Sequence, residues 1–103
     1  MASVADDILH NNKVGPVLRA GELAQAAAEA AEIDNPGKEV TIEDKMAYLR
    51  IMADDELVLT QDTLSECLGR DMNIRELEVD LSSFAGQIEW RPDKVRFYFE
   101  KHL

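Results

Sequence analysis

Residues 14–20 form an apolar run with Gly15-Pro16 set into it, and the run predicts a first strand. Proline cannot donate to a ladder, so Gly15-Pro16 is expected to open a strand at a sheet edge. From Gly21 the spacing becomes helical: Leu23, Ala27, Ala30 and Ile33 share one face, and Glu22, Gln25, Glu29 and Glu32 fall mostly elsewhere. Residues 34–39, DNPGKE, end that helix with strong turn chemistry. Val40 and Ile42 then alternate with Thr41 and Glu43, and Ala47, Leu49, Ile51 and Ala53 alternate with Tyr48, Arg50 and Met52. After Asp54-Asp55, residues 56–60 give another short strand.

Residues 60–70, TQDTLSECLGR, predict a second helix. Thr60 or Thr63 can cap it, Thr63–Glu66 fits a capping box, and Gly69 stands at the C-terminal end. Its apolar face is Leu64, Cys67 and Leu68. Leu77, Val79 and Leu81 alternate with Glu76, Glu78 and Asp80, which predicts a half-buried strand. A bend and a strand follow in SSFAGQIEW, and Val95, Phe97 and Phe99 share the core face of the last strand. The order is β-α-β-β-β-α-β-β-β, an α+β fold with two helices on a largely antiparallel sheet. One domain over residues 1–103 is expected, with residues 1–12 a flexible tail.

Charge narrows the function. Acidic residues outnumber basic ones 21 to 11, for a net charge of −10. Nucleic acids and anionic membranes reward clustered Lys and Arg, so neither is an expected partner; a basic patch on another protein is. The N-terminus lacks a signal-peptide pattern and no apolar stretch approaches a membrane span, so a cytoplasmic location is expected. Cys67 is alone, and His10 and His102 sit near opposite termini, far from the convergent sets that hold metals. Glu76, Glu78 and Asp80 would share one strand face and could meet a divalent cation, although a solvated face explains them better. No phosphate-loop motif occurs, and no convincing set of titratable groups converges, so the chain is expected to act by touching another protein.

The segments HNNKVGPVLRAGELA, AEIDNPGKEVTIEDKMAYLRI, ELVLT, TLSECLGRDMN, ELEVDLSSFAGQI and RFYFEK resemble the effector proteins of bacterial multicomponent di-iron monooxygenases, closest to the toluene monooxygenase branch. The resemblance spans residues 10–101 in one order of segments. It implies a cofactor-free, non-enzymatic protein, monomeric when free, that docks on the di-iron hydroxylase above the helices carrying the metal centre. Docking there reshapes those helices and ties oxygen and NADH-derived electrons, delivered by a reductase and a ferredoxin, to aromatic ring hydroxylation. On the family's matching segments, the partner-binding residues are Asn11, Asn12, Val14, Gly15, Pro16, Asp34, Asn35, Pro36, Gly37, Ser82, Ser83, Phe84, Ala85 and Gly86. Each also has a plain architectural reading as turn or core. Gly15→Val is accordingly expected to leave the isolated fold largely intact and to weaken hydroxylase stimulation. The competing readings are a small-molecule-sensing regulatory domain and a small metal-dependent enzyme built on Glu76, Glu78 and Asp80.

Overall fold

The computed structural model describes residues 12–100, so His10, Asn11, His102 and most of the expected tail lie outside the described residues. Strand β1 (Lys13–Arg19) leads into helix α1 (Glu22–Asp34), then β2 (Thr41–Asp44), β3 (Tyr48–Asp54) and β4 (Glu56–Thr60). Helix α2 (Gln61–Leu68) follows. A 3-10 turn (Ile74–Glu76) runs directly into the short helix α3 (Leu77–Asp80), and β5 (Leu81–Ala85), β6 (Gln87–Trp90) and β7 (Lys94–Tyr98) complete the fold. The strands make two antiparallel sheets, ordered β2-β3-β1-β5 and β4-β7-β6. The α+β class and the element order expected from sequence are present, with one helix more than expected and two sheets in place of one.

That extra helix overturns the strand expected at residues 77–81. Asn73 accepts from the Arg75 N–H at 2.9 Å, and the Glu76 carboxylate accepts from the Asn73 N–H at 2.8 Å, a reciprocal cap. Ile74 and Leu77, three residues apart, are buried, whereas Val79 is 78% exposed. The alternation of Leu77, Val79 and Leu81 therefore misled, and the spacing of three beside an N-x-x-E cap was the stronger signal. The Thr63–Glu66 box does not start α2. Thr60 does, accepting from the Thr63 N–H at 3.3 Å, while Gly69 closes the helix by donating to the Ser65 and Glu66 carbonyls.

Strand β1 is interior, not an edge, because β3 and β5 flank it. Its proline is tolerated because the β3 ladder breaks there: Val14 pairs Ala53 and the next pair is Val17 with Arg50. Gly15 and Pro16 instead face Ala85 and Phe84 of β5. Gly15 has φ +148°, and a Cβ placed on it would stand 1.8 Å from the Ile51 carbonyl oxygen. Only glycine lets β3 approach so closely.

The core gathers Val14 and Leu18 of β1, Leu49 and Ile51 of β3, Leu57 and Leu59 of β4, Leu64 of α2, and Val95 and Phe97 of β7. Against these large side chains α1 sets Ala24, Ala27, Ala28 and Ala31, spaced i, i+3, i+4, i+7, with Ala26 and Ala30 buried beside them. Ile33, expected on this face, lies half a turn from Ala24 and is exposed. Phe99, also expected in the core, falls past the end of β7 and is exposed.

Candidate functional site

The outer face of the four-stranded sheet follows from strand alternation. Register sets Glu43, Arg50, Val17 and Ser83 in one row across β2, β3, β1 and β5, and sets Arg19 directly opposite Tyr48. Such rows place their side chains on one side of the sheet. Val17, Tyr48, Arg50, Met52 and residues 82–85 line an open cavity of about 330 Å³ on this surface. Glu43 lies 3.6 Å from Arg50 and 3.7 Å from Lys45, so the acid and bases at this border are matched.

Strand β5 is one of the two edges of that sheet, β2 being the other, and its Ser82, Ser83 and Phe84 are exposed. An edge strand presents backbone donors and acceptors to whatever approaches. The Phe84 ring is 42% exposed, with its centroid 6.1 Å from that of the buried Phe97, so the core holds a partly open aromatic in place. Gly86, φ +90°, then bends the chain out of this sheet into β6 of the other. A Cβ there would meet the Tyr98 carbonyl oxygen and Val14 Cγ1 at 2.6 Å each.

The structure divides the thirteen described residues of the fourteen expected at a partner surface. Ser82, Ser83, Phe84, Ala85 and Gly86 lie together along β5 and its exit. Val14, Gly15 and Pro16 are buried between β3 and β5 and offer no surface, because β1 is interior. Asp34 and Asn35 are engaged within the chain. Asp34 accepts from the Thr60 N–H at 2.8 Å and the Thr63 hydroxyl at 2.7 Å, tying α1 to the start of α2. The Asn35 amide donates to the Ala31 and Val58 carbonyls at 2.7 and 2.9 Å and accepts from the Val58 N–H at 2.9 Å. Pro36 and Gly37 are exposed. The adjacent Lys38 donates to the Asp54 and Glu56 carbonyls, and the Asn12 carbonyl accepts from the Asp55 N–H, which brings both segments to the β3–β4 turn. Sequence reasoning missed Val17, Tyr48, Arg50 and Met52. An aromatic on the polar side of an alternating strand, Tyr48, was the available signal.

The described residues contain no group of three or more His, Cys, Asp or Glu that could hold a metal. Glu76, Glu78 and Asp80 are not on a strand face: Glu76 caps Asn73 and pairs with Arg70, and Glu78 pairs with Arg75 at 2.6 Å. The Asn73 N–H and the Arg70 guanidinium hold the Glu76 carboxyl below its usual range. Burial, reinforced by the Glu29, Asp34 and Glu66 charges, pushes the Cys67 thiol up, so at neutral pH it is a protonated wall residue and not a nucleophile.

The model of the MmoB/DmpM family matches residues 12–98. The chain is similar to the effector subunit of an alkene monooxygenase system from Xanthobacter autotrophicus, at 37% identity over 97% of this chain and 99% of that protein. Its fold is similar to a chain in the structure of a phenol hydroxylase–regulatory protein complex, with TM-score 0.74 and 28% identity, covering 85% of this chain and 99% of that one. It is also similar to the soluble methane monooxygenase regulatory protein B, with TM-score 0.64 and 26% identity, covering 88% of this chain and 67% of that one.

Proposed function

The chain belongs to the MmoB/DmpM family, and from that premise we propose that it is the effector of an aromatic monooxygenase, coupling NADH and oxygen use to ring hydroxylation. The family's members are regulatory effectors partnered with a hydroxylase and have no catalytic activity of their own. This chain is accordingly the effector subunit of a multicomponent monooxygenase and binds that system's hydroxylase. The observation that carries the reading is the end-to-end match to an effector subunit, 37% identical over 97% of the chain. The aromatic assignment is supported by the segments NNKVGP, DNPGKE and SFAGQI and by the likeness to a phenol hydroxylase complex. The cytoplasm, where NADH is supplied, is the compartment this role requires.

An effector without reacting groups works through differential binding. It favours the hydroxylase conformation that it fits better, and a tenfold shift needs only about 1.4 kcal/mol of preference. We assign the docking surface to the outer face of the sheet β2-β3-β1-β5, centred on residues 82–86 and the cavity beside them, with Asn12, Pro36 and Gly37 at the end where Gly86 leaves the sheet. The free β5 edge can add backbone hydrogen bonds, and Phe84, which packs on Phe97 from the core side of β5 and is partly exposed, adds apolar surface at that edge.

Reconstitution tests this. Hydroxylase, ferredoxin and NADH reductase of the same system are assayed on toluene and on a short alkene, with and without the chain. The expected result is that the chain raises toluene hydroxylation about tenfold or more and increases the NADH used productively. Equal turnover without it would remove the effector role, and stimulation confined to the alkene would remove the aromatic assignment.

A further inference from the structure

Acids outnumber bases 21 to 11 in this chain, and the described cations are correspondingly occupied. Lys13, Lys45, Arg50, Arg70, Arg75, Arg91 and Arg96 each face a carboxylate, and Lys38 donates to two carbonyls. Among the described residues only Arg19 and Lys94 make no such contact. Lys94 begins β7, in the other sheet, whereas Arg19 ends β1 directly opposite Tyr48, on the face that carries Val17 and Arg50. An exposed guanidinium left unpaired amid so many carboxylates, on a face that carries an open cavity and the β5 edge, is available to an acidic group from outside.

Beside it stands Met46, the tip of the β2–β3 hairpin. It is 90% exposed, with φ +69°, a conformation that suits Asn or Gly better than a long apolar side chain. The turn is firmly held. The Met46 N–H donates to Asp44 Oδ1 at 2.8 Å, the Lys45 N–H to the Tyr48 carbonyl at 2.9 Å, and the Ala20 N–H to the Ala47 carbonyl at 2.9 Å. The last bond fixes the hairpin tip against the residue after Arg19. Methionine here adds nothing to the core and sits in a conformation it disfavours, which leaves its side chain open to contact beyond the chain.

We propose that Arg19, Tyr48 and Met46 form a second anchor for the hydroxylase, at the opposite end of the face from Asn12 and Gly86. Arg19 receives a carboxylate of the hydroxylase, Met46 enters an apolar pocket beside that carboxylate, and Tyr48 joins the anchor to the cavity it lines. This deepens the effector reading and rests on it. The occupant is a hydroxylase surface with an acidic rim around an apolar depression, the complement of a cation flanked by exposed Tyr and Met.

The test uses the full chain and the hydroxylase component of the same system, with affinity titrated at low and high salt beside a thermal melt of each variant. Arg19→Glu is expected to weaken binding about tenfold at low salt and to flatten the salt dependence. Met46→Asn, which suits the same backbone, is expected to weaken binding about threefold while its melt is unchanged or raised. Lys94→Glu makes the same charge change on the other sheet and is expected to leave affinity as in the wild type. If both Arg19→Glu and Met46→Asn bind like the wild type, the anchor is overturned and the effector reading stands. Equal losses from Arg19→Glu and Lys94→Glu would assign the effect to net charge and likewise overturn the anchor. A wild type that does not bind hydroxylase would overturn the effector reading and the anchor together.

Discussion

Gly15→Ala should yield no cooperatively folded protein. The new Cβ would lie 1.8 Å from the Ile51 carbonyl oxygen, 2.9 Å from its carbon and 3.2 Å from Met52 Cα, all backbone atoms that no rotamer change can move aside. Relief requires β1 and β3 to separate at the middle of the four-stranded sheet, which dismantles the ladder that carries Val14, Leu18, Leu49 and Ile51 into the core. The φ of +148° adds strain for any residue with a side chain. Overpacking that a core can absorb costs about 1–3 kcal/mol; a backbone collision of this depth exceeds that and approaches the whole stability of a small domain, about 5–15 kcal/mol. Circular dichroism with a thermal melt decides it, and a melt within a few degrees of the wild type would contradict the interior placement of β1. The expectation that Gly15→Val spares the fold is withdrawn on the same grounds, since valine carries the same Cβ and two methyl groups beyond it.

The second large effect is Asn35→Ala. Asn35 is only 7% exposed, and its amide is bonded to both the N–H and the C=O of Val58, as a neighbouring strand would be, and to the Ala31 carbonyl at the end of α1. Alanine leaves those groups without their partner, at roughly 1–3 kcal/mol for each group kept from water. Because Val58 is partly open to solvent, the expected total is about 2–4 kcal/mol. That corresponds to a fall in Tm on the order of 10–25 °C for a domain of this size. Asn35→Asp should be no better, since a carboxylate can accept from the Val58 N–H but sets charge against two carbonyls. Urea unfolding provides the check: a lower midpoint at unchanged slope is expected, and a loss below about 1 kcal/mol would show that water replaces the amide.

These two residues also show where sequence reading succeeded and where it stopped. Glycine-proline in an apolar run and Asn-Pro-Gly after a helix both stand out in the sequence, and both suggest a partner surface there. At Gly15 and Asn35 that special character is internal. Gly15 permits a close approach between strands 36 residues apart in sequence, and Asn35 bonds to a strand 23 residues away. Alternation and helical spacing report which side of an element is apolar, not which strand becomes its neighbour. Hence β1 reads as an edge from its own residues, whereas the edges of its sheet are β2 and β5. Elements whose local signals agreed, such as α1 with its alanines and the two strands on either side of Asp54-Asp55, stand where the pattern puts them, although those strands enter different sheets and do not pair. Residues 77–81 failed because alternation and a cap pointed to different periods, and the cap prevailed.

The central proposal is that the sheet face β2-β3-β1-β5, and not the helical side, meets the hydroxylase. Hydroxyl-radical footprinting of the chain with and without that hydroxylase reads this directly, because Met46, Tyr48 and Phe84 are exposed and reactive on or at the edge of the face, while Ile33 of α1 and Val79 of α3 are exposed elsewhere. Met46, Tyr48 and Phe84 are expected to lose most of their oxidation on addition of hydroxylase, and Ile33 and Val79 to keep theirs. Protection of Ile33 and Val79, with Met46, Tyr48 and Phe84 unchanged, would contradict it.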